Sequence, residues 1–147
     1  MKHILAVSSG GGHWHQLNLL AEGFSKHQVT WLSTIQNPGA DNISNAHQLP
    51  DADSTQPLRL VRMALQVFFF VLKTRPDFVI STGAAIGFFA VLFGRMLGAH
   101  TIWVDSVANY HKLSISGRYA AKICHLHLTQ WPELADGETT RYWGSLL

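Results

Sequence analysis

The sequence predicts an α/β domain in which a parallel sheet carries helices on both faces, and three observations support that expectation. Short, continuously apolar runs recur between turn residues, as in strands covered on both sides. Helical patterns stand between these runs with short connections, the arrangement of βαβ units. Small or hydroxyl residues recur where a strand ends and a helix begins, which is where open α/β sheets bind ligands. At 147 residues the chain is read as one domain, 1–147, with enough length to bury a core.

In chain order, strands are expected at 3–7, 28–33, 77–81, 100–105 and 125–130. Helices are expected at 14–26, 57–74, 85–97 and 114–123. Residues 35–57, rich in Asn, Asp, Ser and Pro, read as a long mobile loop. No internal repeat interrupts this order.

Composition narrows the function. Hydrophobic residues make up 47% of the chain and charged residues 14%, against about 25% charged in ordinary soluble domains. Part of the surface is therefore expected to face a partner or a membrane. A net charge of +2 is too small to indicate a nucleic-acid partner, and none is expected. The single cysteine, Cys124, excludes an internal disulfide and fits a reducing compartment. Nine histidines occur, with His125 and His127 alternating as on one strand face, but no Cys/His set has zinc spacing. Neither a metal nor a cofactor is expected. The apolar stretches 64–72 and 83–94 fall short of the roughly 20 residues that span a bilayer. The expected location is cytoplasmic.

Helix 57–74 carries Arg59, Arg62, Gln66 and Lys73 on one narrow stripe, and almost everything else is apolar, Phe68, Phe69 and Phe70 included. Two readings stand: a core helix packed between the sheet and a neighbour, or a helix lying in the interface of an anionic membrane.

The segment Ser8-Ser9-Gly10-Gly11-Gly12-His13 joins the first strand to the first helix. Glycines let a ligand approach the backbone, and a helix N-terminus favours an anion such as a diphosphate. It is neither a Walker loop, lacking Gly-Lys-Ser/Thr, nor a dinucleotide fingerprint, since His15 stands where the last glycine belongs. A second loop of the same design is Ser81-Thr82-Gly83-Ala84, and a third strand end offers Asp105 and Ser106.

SSGGGH followed by QLNLL, then DFVISTGAAIGFFAVLFGRMLGAHTIWVDS, LSISGRYAAKICHLHLTQWPELA and RYWGSLL together resemble the acceptor-side subunit of split GT-B glycosyltransferases. The eukaryotic member of that family anchors the two-subunit enzyme that adds the second N-acetylglucosamine to the dolichol-linked oligosaccharide. Bacterial members pair with a catalytic partner in capsule and exopolysaccharide synthesis. The pair corresponds to the two halves of an enzyme like the one that makes lipid II.

The resemblance implies a Rossmann-like fold equivalent to the N-terminal half of a GT-B enzyme. It implies a non-autonomous subunit that binds a polyprenol-diphosphate-linked sugar and docks a catalytic, UDP-sugar-binding partner at the membrane. On this reading Ser9, Gly10, Gly11, Gly12, Thr82, Gly83 and Ser106 bind the acceptor and its phosphates. His13 is the catalytic base or a phosphate contact, and Asp105 is an alternative base or the group that orients the acceptor. Asp105 stands where the family pattern leads us to expect glutamate. Arg59, Arg62, Phe68, Phe69 and Lys73 would meet the cytoplasmic face of the membrane, with peripheral attachment. Trp131, Pro132 and Trp143 would meet the partner, unless Trp131 closes the local core. Two rival functions are a self-sufficient nucleotide- or phosphosugar-using enzyme and a pure recruitment scaffold. The first is disfavoured by the missing ribose-binding acid after the glycine loop.

Overall fold

The computed structural model describes residues 1–36, 43 and 46–147. Seven parallel strands form one sheet in the order β3-β2-β1-β4-β5-β6-β7. They are β1 (His3–Ser8), β2 (Gln28–Ser33), β3 (Ala46–Gln48), β4 (Phe78–Ser81), β5 (His100–Val104), β6 (Leu126–Thr129) and β7 (Thr140–Tyr142). Four helices connect them: α1 (Gly12–Leu19), α2 (Pro57–Thr74), α3 (Ala84–Met96) and α4 (Ile115–Ala120). The strand order reverses between β1 and β4, and that reversal opens a crevice outside the carboxyl ends of both strands.

The five expected strands and four expected helices are all present, with two differences in length. Helix α1 stops at Leu19 and a 3-10 turn, Ala21–Phe24, replaces its expected extension. Gly23 lies in that extension, and glycine disfavours a helix interior by about 1 kcal/mol relative to alanine. Helix α4 ends at Ala120, three residues short of the expected Ile123, and begins at an N-cap, Ser114, whose hydroxyl accepts from the Gly117 amide at 2.8 Å.

The sheet gains two short strands that were not expected. Strand β3 lies inside the segment read as a loop and extends β2 through Trp31, Leu32 and Ser33. Strand β7 pairs with His127, Leu128 and Thr129. Each has three residues, too few for a period-two pattern to appear. The remainder of the expected mobile loop includes residues 37–42, 44 and 45, which lie outside the described residues.

Two apolar layers sandwich the sheet. On one face Leu5, Val7, Leu32 and Val79 pack beneath α2 and α3, through Met63, Val67 and Val71 and through Ile86, Ala90 and Val91. On the other, Ile4, Ala6, Ile80 and Val104 pack with Trp14 and Leu17 of α1 and with Trp31. Helix α3 sits close on β4 because Gly87 and Gly94 face it. A methyl at either position would stand 1.9 Å from Ser81 Oγ or 2.6 Å from Val79 Cγ2.

Helix α2 carries apolar residues on two faces, one packed and one exposed. Met63, Val67 and Val71 face the core. Leu58, Val61, Leu65, Phe69 and Leu72 form a second apolar line on the outside, where Leu58 is 87% and Phe69 62% exposed. Arg59, Arg62 and Lys73 are exposed beside that line, whereas Gln66 is half-buried. Phe68 is half-buried as well, its ring 5.2 Å from that of Phe93 on α3. Among the described residues no helix is long and apolar enough to cross a membrane.

A candidate acceptor crevice at the strand ends

Helices α1 and α3 both begin at the carboxyl end of their strands with glycine as N-cap and no capping side chain. Gly11 has φ 70° and Gly83 φ 146°, a region that side-chain-bearing residues rarely adopt. Glycine offers neither helix start a capping side chain, and each start lies at the end where the helix dipole is positive. The two helix starts meet at the β1/β4 reversal.

His13 sits between them, half-buried. Its Nδ1 lies 3.0 Å from the carbonyl oxygen of Thr82. A carbonyl only accepts, so Nδ1 carries the hydrogen, and in the neutral ring Nε2 holds the free lone pair. The Thr82 hydroxyl donates back to the His13 carbonyl at 2.6 Å. These reciprocal bonds tie the glycine loop to the β4–α3 turn. Gly83 completes the clamp, since a methyl there would lie 2.4 Å from Nδ1 of His13. Ala84, next along, has φ 69°, a left-handed conformation that costs a residue with a Cβ about 1–2 kcal/mol.

His13 and Ala84 line a crevice of about 460 Å³ together with Ser106, Asn109, Ser114 and Ile115. Lys112 and Arg118 line it too, both exposed. The crevice thus combines an imidazole, two helix starts and two cations, a set suited to an anionic ligand. A separate groove of about 630 Å³ lies around Lys2, Arg75, Asp77 and His100, at the amino ends of the strands and away from these loops.

The expected phosphate ligands fall into two groups. Gly11 and Gly12 are exposed, and at both positions a methyl would meet nothing within 4 Å, so the backbone there is open to a ligand. Ser9 and Gly10 are half-buried, and the Gly10 amide donates to Thr34 Oγ1 at 3.3 Å. Thr82 and Ser106 are buried, with their hydroxyls engaged inside the protein.

Asp105 is buried and its carboxylate is surrounded by donors. Oδ1 accepts from Trp103 Nε1 at 3.0 Å and from the Ser114 hydroxyl at 2.6 Å. Oδ2 accepts from the Ser114 amide at 3.0 Å and from Asn109 Nδ2 at 3.4 Å. Gly117 lets α4 approach this close, because a methyl there would stand 2.3 Å from Oδ1. Asp105 thereby fixes the loop that carries Asn109 and Lys112 at the crevice. Trp131 fixes the same loop from the other side, donating from Nε1 to the Val107 carbonyl at 2.7 Å, with its ring 6.1 Å from Tyr110. Pro132 opens a 3-10 turn, Pro132–Leu134, and Trp143 is 67% exposed.

Sequence reading missed Gln16, Lys112 and Arg118. Gln16 looks like one more polar residue of an amphipathic helix, yet it is buried and donates to the Gly12 carbonyl and the Ser106 hydroxyl. Lys112 lies just outside the motif segments and Arg118 inside LSISGRYAAK, where nothing local marks it, and only the fold brings both to one crevice with His13 and Ala84. No group of three His, Cys, Asp or Glu side chains able to hold a metal occurs among the described residues.

Comparison with known proteins places the fold and the family. A Yarrowia lipolytica protein named UDP-N-acetylglucosamine transferase subunit ALG14 is 31% identical over 72 residues, covering 45% of this chain and 33% of its own. Acinetobacter baumannii MurG superposes with a TM-score of 0.80 at 14% identity, over 97% of this chain and 45% of that one. A UDP-N-acetylglucosamine 2-epimerase from Rickettsia bellii superposes with a TM-score of 0.73 at 14% identity, over 99% and 45%. The chain thus spans a third of that curated relative and under half of either solved structure, and shares with the two structures the fold of one half. A family profile described as "Oligosaccharide biosynthesis protein Alg14 like" matches residues 10–146. With nearly its whole length inside that match, the chain belongs to the Alg14-like family.

Proposed function

We propose that this chain is the acceptor-side half of a two-subunit glycosyltransferase, binding a polyprenol-diphosphate-linked sugar and docking a catalytic, UDP-sugar-binding partner in polysaccharide synthesis. The observation that carries the reading is the convergence of two uncapped helix starts, His13, Lys112 and Arg118 on one crevice. Such a site neutralises a diphosphate without a metal. It also offers a base. With Nδ1 held by the Thr82 carbonyl, Nε2 of His13 accepts the proton of the acceptor hydroxyl as that oxygen bonds to the anomeric carbon of the donor. The anomeric bond to the nucleotide diphosphate breaks in the same displacement, and that diphosphate departs with the bonding pair. Asp105 is assigned the role of positioning the loop rather than moving the proton, because four donors already occupy its carboxylate.

The exposed apolar line of α2 with its flanking Arg59, Arg62 and Lys73 supports peripheral docking on the cytoplasmic face of an anionic membrane. Exposed Tyr142 and Trp143, beside the Trp131–Pro132 turn, support a partner surface. The test is transfer from UDP-sugars to a polyprenol-diphosphate sugar, by this chain alone and with the product of a neighbouring gene. Transfer only by the pair, abolished by His13→Ala, is the expected result. Transfer by this chain alone would move the donor site into it and overturn the reading. Recruitment of the partner with transfer unaffected by His13→Ala or Gly11→Val would leave a scaffold.

A further inference from the structure

Two buried amides join the crevice to the C-terminal segment. Gln16 is 3% and Gln130 4% exposed. Gln16 Nε2 donates to the Gly12 carbonyl at 3.3 Å and to the Ser106 hydroxyl at 3.0 Å. Its Oε1 accepts from the Val107 amide at 3.1 Å and from Gln130 Nε2 at 2.6 Å. Gln130 Nε2 also donates to the Asp105 carbonyl at 3.0 Å, and its Oε1 accepts from the Leu146 amide at 2.9 Å and the Ser145 hydroxyl at 3.4 Å. The backbone amides of Val107 and Leu146 can only donate, so they fix which way both side chains point. Reversing either amide would set donor against donor and acceptor against acceptor. Leu146 meanwhile packs into the apolar layer beneath α1.

We propose that Gln16 and Gln130 are positioning residues that hold the glycine loop and the 106–114 loop in register with the seating of segment 143–147, so that a partner bound at that segment is felt at His13. Every hydrogen-bonding position of both amides is occupied, so a change in one must be accommodated by the next. The segment 143–147 carries exposed Trp143 and lies one bond from Gln130, two from Gln16 and three from the Gly12 carbonyl, next to His13. The catalytic part of this inference rests on the acceptor reading above; the mechanical part does not.

Two measurements separate them. The first compares backbone amide NMR spectra of the full chain with Gln130→Met and Gln16→Met. Gln130→Met is expected to shift the amides of Gly11, Gly12 and His13, and Gln16→Met those of Ser145 and Leu146. Shifts confined to the immediate neighbours of each substitution would overturn the relay, whatever the protein's activity. Should either methionine variant fail to fold, Gln130→Asn and Gln16→Asn, which keep an uncharged amide but shorten its reach by one methylene, serve in its place. The second measures transfer by the complex with acceptor and donor varied separately. Gln16→Met is expected to raise the acceptor KM or lower kcat by roughly tenfold to a hundredfold, with donor KM unchanged. Kinetics unchanged in a pair that transfers would overturn the positioning role. A pair that transfers nothing would instead refute the acceptor reading and leave the first measurement standing.

Discussion

A Cβ at position 83 would stand 2.4 Å from Nδ1 of His13, and the positive φ of Gly83 strains any side chain placed there. Gly83→Ala is therefore expected to push the imidazole off the Thr82 carbonyl, at a stability cost of about 1–3 kcal/mol. Transfer by the complex should fall to the level of His13→Ala while partner binding persists, which a paired activity and pull-down assay checks. Ala84 gives the opposite case. Its φ of 69° is strained with a methyl and free without one, so Ala84→Gly should stabilise the chain by up to about 1 kcal/mol. A shift of the urea midpoint to lower concentration would show that this backbone is not strained as described.

At the scale of the element, α2 carries one buried and one exposed apolar face, and the two can be tested apart. Val67 is fully buried, so Val67→Ala should cost roughly 2 kcal/mol through lost burial and a small cavity, with vesicle binding unchanged. Leu65 and Phe69 point outward. Replacing both by glutamate should leave the unfolding midpoint almost unmoved and abolish co-sedimentation with anionic vesicles. Unimpaired vesicle binding would remove α2 from the membrane surface. The same helix explains why its sequence admitted two readings. An amphipathic helix normally shows one apolar stripe, and this one carries a second, of Leu58, Val61, Leu65, Phe69 and Leu72, whose meaning depends on what surrounds it.

At the scale of the whole molecule, stability is expected to depend on pH through a histidine of β6. His127 is 2% exposed between β5 and β7, with Nδ1 bonded to Thr140 Oγ1 at 3.0 Å and Nε2 buried without a well-formed hydrogen bond among the described residues. Burial pushes its pKa below the ordinary 6.5, against the smaller opposing pull of the Asp105 charge. As pH falls below about 6.5 the unfolded chain takes up this proton and the folded one resists it. Stability should thus be full above that value and decline as the solution becomes more acidic. Urea unfolding between pH 7.5 and 5 checks this, with His127→Asn expected to flatten that decline. An equal decline in the variant would assign it to other groups.

The strands β1, β2, β4, β5 and β6, the parallel sheet and the glycine loop were legible in the sequence because each depends on neighbours in the chain. Apolar runs, turn residues and a glycine-rich helix start are local signals, and so is a histidine directly after three glycines. Strands β3 and β7 were not legible, since three residues become a strand only when an existing edge offers its hydrogen bonds. Nor was the crevice complete. Gln16 and Gln130 lie 114 residues apart and meet at 2.6 Å, and Lys112 and Arg118 join His13 only where the fold brings them to one crevice. Asp105 reads from the sequence as an alternative base or an orienting group, and the donors around its carboxylate become visible only with the loop folded over it. The sequence by itself determined which residue types stand at the strand ends. The tertiary structure alone decided which of them face the crevice and which hold it together, because burial and hydrogen-bond partners come from elements far apart in the chain.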